Sequence, residues 1–175
     1  KISGLKLCEN YYRQYGSNFI SIMPNNLYGE NDNFDLETSH VLPALIRKIH
    51  EAKLSNLNKV KIWGTGQPRR EFLHVDDLAD ACLFLMKRLD PKFLYEQNIS
   101  HINVGTGEEL SIKSLAKKIK DIINYKGQLY FDLSYPDGMQ RKLLDCSRIN
   151  RLGWNSKISL DDGLTDLYNW YSQVH

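Results

Sequence analysis

Apolar positions recur every three or four residues at the start of the chain, at Ile2, Leu5, Cys8, Tyr12 and Tyr15, with Lys6, Glu9, Asn10 and Arg13 largely between them. This spacing predicts an amphipathic helix that ends at Gly16. No Ser, Thr, Asp or Asn precedes Lys1, so the helix has a stop signal but no start signal, and the chain reads as a piece of something longer. Phe19 to Met23 predicts a buried strand, and Pro24 to Thr38 a long polar loop. Ser39 is expected to cap a helix with Val41, Leu42, Leu45, Ile46 and Ile49 on its inner face. Pro43 fits the first turn because the N–H it lacks would have no partner there.

Lys59 to Trp63 alternates with period two and predicts a strand half exposed to water, closed by the turn Gly64-Thr-Gly-Gln-Pro68. Arg70 to Arg88 predicts a short extended stretch and then a helix capped by Asp76, with acids early and Lys87 and Arg88 late, as the helix dipole favours. His101 to Val104 is another expected strand. Ser111 opens a helix with Ile112, Leu115, Ile119, Ile122 and Ile123 inward, and Leu129 to Leu133 follows as a strand. Ser147 to Leu152 predicts a short helix stopped by Gly153, and Ser159-x-x-Asp162 starts a final helix that buries Leu160, Leu164, Leu167 and Tyr171. Strands alternating with helices predict an α/β fold, without repeats or low-complexity segments.

Composition narrows the function classes. With 42% hydrophobic and 25% charged residues in 175, one core is expected that needs neither disulfides nor metal. A net charge of +2 is too balanced for an electrostatic nucleic-acid binder, yet leaves room for a local anion pocket. Cys8, Cys82 and Cys146 lie far apart, with no CxxC pair to suggest zinc. The longest apolar run, Ala81 to Met86, is far shorter than the roughly 20 residues that span a bilayer. With no cleavable signal ahead of the first element, a cytoplasmic protein without membrane or nucleic-acid partners is expected.

Few residues carry obvious chemistry. No G-x-G-x-x-G triplet is present; Gly105-Thr-Gly107 follows a strand and precedes a helix, but residue 110 is Leu, so it reads as a tight βα turn more than as a phosphate loop. His40, expected in a helix first turn, is either a neutral base or a histidine bonding its own helix end. Arg69-Arg70 beside Trp63 form either an anion site next to an aromatic platform or two surface arginines and a core tryptophan. Asp137 to Lys142, after Pro136, is a turn with a basic end, a second phosphate contact or a solvated loop. Asp32, Asp35 and Glu37 lack the glycine of a calcium loop, and no metal is expected.

Taken together, several segments resemble the GDP-L-fucose synthase family of the extended short-chain dehydrogenases. They are Lys1-Ile-Ser-Gly-Leu-Lys-Leu-Cys-Glu9, Met23-Pro-Asn-Asn-Leu-Tyr-Gly29, Asp32-Asn-Phe34, Ser39-His-Val41, Trp63-Gly-Thr-Gly66, Arg70-Glu-Phe-Leu-His-Val-Asp-Asp77, Ile102-Asn-Val-Gly-Thr-Gly107 and Pro136-Asp-Gly-Met-Gln-Arg-Lys-Leu-Leu-Asp145. The resemblance runs through essentially the whole chain. It implies an NADP(H)-dependent enzyme that converts GDP-4-keto-6-deoxy-D-mannose to GDP-L-fucose by 3,5-epimerisation and 4-keto reduction. It also implies that residues 1–175 are the C-terminal portion of such an enzyme. Parts of the nucleotide-binding domain would lie at about 1–30 and 72–105, and the substrate-binding part at about 31–71 and 106–175.

Site roles follow from the same resemblance. Lys1 stands where the family's Tyr-x-x-x-Lys lysine stands; it would bind the nicotinamide ribose and favour the tyrosinate of a Tyr before the chain begins. Pro24, Asn25, Asn26 and Leu27 would line the nicotinamide site, with His40 adjoining it as the acid/base residue of epimerisation. Lys48, Trp63, Arg70, Asp137 and Lys142 match GDP-sugar contacts. Asn25 stands where Thr is usual, Glu30 where Pro is usual and Lys48 where Arg is more frequent, which costs the last contact its bidentate fork. The family's catalytic Ser, Tyr and Cys would lie upstream, so the chain alone is expected to be inactive and the whole enzyme a homodimer. Two other readings stay open: a different nucleotide-sugar 4-epimerase or 4,6-dehydratase, and a non-catalytic nucleotide-sugar-binding module.

Overall fold

The computed structural model describes residues 1–175 as a mixed α/β domain built largely on parallel strand pairs. Helix α1 (Ile2–Tyr15) ends at Gly16 in the left-handed conformation (φ 67°), as its sequence predicts, but buries no residue fully. The strand expected over 19–23 is shorter and later, β1 (Ile22–Pro24), with Phe19 exposed. The expected loop 24–38 contains a strand, β2 (Asn26–Tyr28), and buries Phe34.

Helix α2 (Val41–Leu54) buries Leu42, Leu45, Ile46 and Ile49. Its N-cap is His40 and not Ser39, whose hydroxyl is buried without a partner, so His40 precedes the first turn instead of lying within it. β3 (Lys59–Trp63) alternates as predicted, burying Val60 and Ile62. β4 (Arg69–Arg70) and β5 (Phe72–His74) lead into α3 (Val75–Arg88), which is capped by His74 and not Asp76: the imidazole Nδ1 accepts from the Asp76 amide at 3.3 Å. α4 (Pro91–Tyr95), β6 (Ile102–Val104) and β7 (Leu110–Ser111) follow. Then come α5 (Ile112–Ile123), β8 (Gln128–Asp132), β9 (Arg141–Lys142), α6 (Ser147–Arg151) and α7 (Leu160–Val174). The caps expected at Ser111 and Ser159 form, each hydroxyl accepting from the amide three residues on.

The pairs β1–β6, β2–β5 and β3–β8 are parallel, and β4 lies between antiparallel β7 and parallel β9. Two cores meet at β5, where successive side chains point to opposite faces. Phe72 joins the larger cluster of α2, β3, α5 and α7, whereas Leu73 joins the smaller one of α3, α4, β6 and α6. No helix is long and apolar enough to cross a membrane.

Candidate active site

Pro24 and Val104 are paired at the carboxyl ends of β1 and β6, and in open α/β sheets ligands bind beyond such ends. A cavity of about 300 Å³ opens between β2, the start of α2 and the β4–β5 segment, and neither Pro24 nor Val104 lines it. Asn26 and Leu27 line it together with His40 and the start of α2, and facing them are Trp63, Gly66, Arg70, Phe72, Pro136, Asp137 and Gly138. Six of the residues singled out from sequence, Asn26, Leu27, His40, Trp63, Arg70 and Asp137, thus share one cavity despite lying up to 111 positions apart.

Arg69 and Arg70 differ sharply. β4 and β9 run parallel with Arg69 opposite Arg141 and Arg70 opposite Lys142, so each matched pair shares a face. On one face Glu109 accepts from both Arg69 Nε (2.8 Å) and Arg141 Nε (2.9 Å), and the two guanidiniums hold its carboxyl below the ordinary range. On the other face Arg70 has no carboxylate partner; its Nη1 donates only to the Arg69 carbonyl, at 2.8 Å. Lys142 donates to Asn26 Oδ1 at 3.2 Å. The register therefore neutralises one pair of cations and leaves the other available to an anion.

Trp63 is half exposed, and Tyr135 stacks on it with ring centroids 4.7 Å apart and planes 10° from parallel. Lys48 Nζ lies 4.7 Å from the Trp63 centroid, and burial together with nearby Lys61 holds its ammonium below the ordinary lysine range. Lys48 and Lys142 thus adjoin the cavity through Trp63 and Asn26. Asp137 accepts from the Thr65 amide (2.9 Å) and hydroxyl (2.6 Å), tying the 136–138 rim to the Gly64–Gly66 turn. Lys1, exposed at the N-cap of α1, does not line the cavity, nor does buried Asn25. No group of three or more His, Cys, Asp or Glu is placed to hold a metal ion.

Sequence reasoning missed Glu71. It is fully buried between cavity-lining Arg70 and Phe72, and its carboxylate faces away from the cavity. Oε1 accepts from the Gly107 amide (2.8 Å) and the Thr106 hydroxyl (3.4 Å), and Oε2 from Asn25 Nδ2 and the Leu144 amide (3.2 Å). The Gly105–Gly107 turn is thus filled by a protein carboxylate and is no phosphate loop. The one available signal was an acid flanked by Arg70 and the apolar pair Phe72-Leu73, where a strand has no solvent face to offer it.

Fold and cavity define a mixed α/β domain, built largely on parallel strands, whose cavity carries an unneutralised arginine. The chain belongs to the NAD dependent epimerase/dehydratase family, whose model matches residues 1–105. It is 53% identical over 98% of its length to the putative GDP-L-fucose synthase 2 of Arabidopsis thaliana, covering 50% of that protein. It is 50% identical over 98% of its length to the GDP-L-fucose synthase of Escherichia coli K12, covering 54%. The chain therefore spans about half the length of these curated relatives. Among solved structures, a GDP-D-glycero-L-gluco-heptose synthase from Campylobacter jejuni, determined in the presence of NADPH, superposes with a TM-score of 0.88 at 43% identity, over 98% of this chain and 58% of that one.

Proposed function

We propose that this chain is part of a GDP-sugar 3,5-epimerase and 4-reductase that forms GDP-L-fucose from GDP-4-keto-6-deoxy-D-mannose with NADPH. The observation that carries the reading is the single cavity in which His40 and Asn26-Leu27 face Arg70 and Trp63. Identities of 50% and above to GDP-L-fucose synthases support the substrate class.

In this reading Arg70, with Lys142 on the neighbouring strand, holds the diphosphate by charge-assisted bonds, and Trp63 and Lys48 complete the GDP-sugar contacts with Asp137. His40 exchanges a proton at a carbon made acidic by the adjacent 4-ketone; the C–H electron pair moves into the carbonyl as an enolate and a proton returns on the other face. NADPH, when bound, supplies the hydride that reduces C4. Asn26 and Leu27, which line the cavity, border its nicotinamide, and Pro24 and Asn25 just before them hold that stretch in place. Lys1 orients the nicotinamide ribose. The remaining catalytic Ser, Tyr and Cys belong to the rest of the enzyme, so the 175-residue chain alone turns over nothing. The exposed Ile2, Leu7, Tyr11 and Tyr15 of α1 support its contribution to a homodimer of the whole enzyme.

Calorimetric titration with GDP, with and without Arg70→Ala, tests the site. Affinity at least about tenfold weaker in the variant is expected, the loss of a charge-assisted contact. Equal affinity, or NADPH consumption by the chain alone, overturns the reading. A second reading, reduction of a different GDP-sugar, is favoured by the 43% identity to the heptose synthase. Product analysis with both ketosugars decides between them.

A further inference from the structure

We propose that Glu71 is a positioning residue for GDP-sugar binding: it clamps the 141–145 segment, which carries Lys142, against the Asn25-Asn26 strand junction and so keeps Lys142 beside Arg70. The proposal rests on the function given above and goes beyond it, because Glu71 touches neither substrate nor cofactor.

A carboxylate removed from water is costly unless the surrounding donors replace its hydration. Glu71 is fully buried, and no cation lies within ion-pair distance; its partners are amides and a hydroxyl from three separate segments. One is the Asn25-Asn26 junction between β1 and β2, one is the Thr106-Gly107 turn after β6, and one is the Leu144 amide, two residues beyond Lys142. The Glu71 carbonyl also accepts from Asn26 Nδ2 at 2.7 Å, and the same Asn26 side chain accepts from Lys142 Nζ. A closed circuit therefore runs from Glu71 through Leu144 to Lys142, on to Asn26 and back. Arg70, the preceding residue, points into the cavity while Glu71 points out of it, so one short segment presents the anion-binding guanidinium and anchors its neighbour. Burial, with Glu71 and Asp145 close by, pushes the thiol of Cys146 up to about 12, and Cys146 is enclosed against this hub.

Glutamine at this position keeps the shape but replaces one acceptor oxygen with a donor. It cannot serve Gly107 on one side and both Asn25 and Leu144 on the other without a donor facing a donor. In the whole enzyme, Glu71→Gln should raise the KM for the GDP-sugar about tenfold, with kcat and the KM for NADPH within about twofold, because saturating substrate holds the segment in place. Ile149→Val, in the same core but outside the circuit, controls for lost stability and should move none of the three. A uniform fall in activity in both variants, or an unchanged GDP-sugar KM in Glu71→Gln, overturns the assignment. Should the wild-type enzyme not act on GDP-sugars, the function reading fails by itself. The clamp is then judged by amide exchange at Leu144 and Gly107 and by thiol labelling of Cys146. Acceleration of at least about tenfold in Glu71→Gln supports it, and unchanged rates refute it.

Discussion

The chain contains two Gly-Thr-Gly turns, Gly64–Gly66 after β3 and Gly105–Gly107 after β6, and each receives a carboxylate from a distant part of the sequence. At the first, Asp137 takes the Thr65 amide and hydroxyl; at the second, Glu71 takes the Gly107 amide and the Thr106 hydroxyl. In both, a Cβ on the first glycine would run into the carboxylate; at Gly105 this contact alone calls for glycine, whereas Gly64 also has a positive φ of 77°. Their surroundings separate them. Glu71 is sealed from water and satisfied from three segments, whereas Asp137 is half-buried on the rim of the cavity. A turn that ends in the interior is a fixed joint; the same turn at a cavity mouth is held by bonds that water or a ligand can replace. Sequence similarity between two glycine turns thus says little about their role until their acceptors are known.

The sharpest way to break this contrast is to remove the buried acceptor. Glu71→Ala leaves the Gly107 and Leu144 amides and the Asn25 side chain without partners and opens a void, and should cost about 3 kcal/mol. Asp137→Ala, whose released donors water can reach, should cost about 1 kcal/mol. Urea unfolding of the whole protein with both variants measures the difference. Equal losses would show that the buried joint is no stronger than the exposed one.

The glycines give a finer cut at the inner turn. Gly105 has an ordinary φ but no room for a Cβ, which would meet the Glu71 carboxylate and Cys146, whereas Gly107 has φ +79° and open space around it. Gly105→Ala should cost about 2 kcal/mol through overpacking, and Gly107→Ala about 1 kcal/mol through backbone strain alone. Denaturant midpoints of the two variants separate the causes. The reverse order would mean that conformation, not the carboxylate, dictates glycine at this turn.

These features mark where sequence reading works. The helix at 112–123 was legible because its signals are local, a serine cap and a 3.6-residue apolar period. β2 was not, since its three residues gain their identity only by pairing with Phe72–His74, more than 40 positions away. The cap of α3 was misplaced by two residues because the His74 ring does the work expected of Asp76. At the site, His40, Trp63, Arg70 and Asp137 are side-chain types whose chemistry and motif context show in the sequence. Glu71 is hidden for the opposite reason: an acid in a strand reads as solvent-facing, and its burial depends on donors 35 to 73 positions later in the chain and 46 earlier.

The smallest expected effect is a pH response confined to the outer turn. Asp132 ends β8; its carbonyl accepts from the Gly64 amide, and its carboxylate accepts from the Ser134 hydroxyl and amide and pairs with Lys61 at 3.1 Å. The Ser134 bonds first, and then Lys61, hold its carboxyl below the usual aspartate value. A carboxyl whose folded pKa is lowered adds stability that is complete above its unfolded value near 3.9 and is lost as the pH falls through the folded value. As the pH falls below about 4 the amide protection factors of Ser134 and Thr65 should therefore fall while that of Gly107 holds. Lys61→Met should make the loss smaller and complete it at a higher pH, because one of the charges depressing the aspartate is gone. A parallel loss at Gly107 would show that the two turns open together, and that the inner joint is not isolated from the rim.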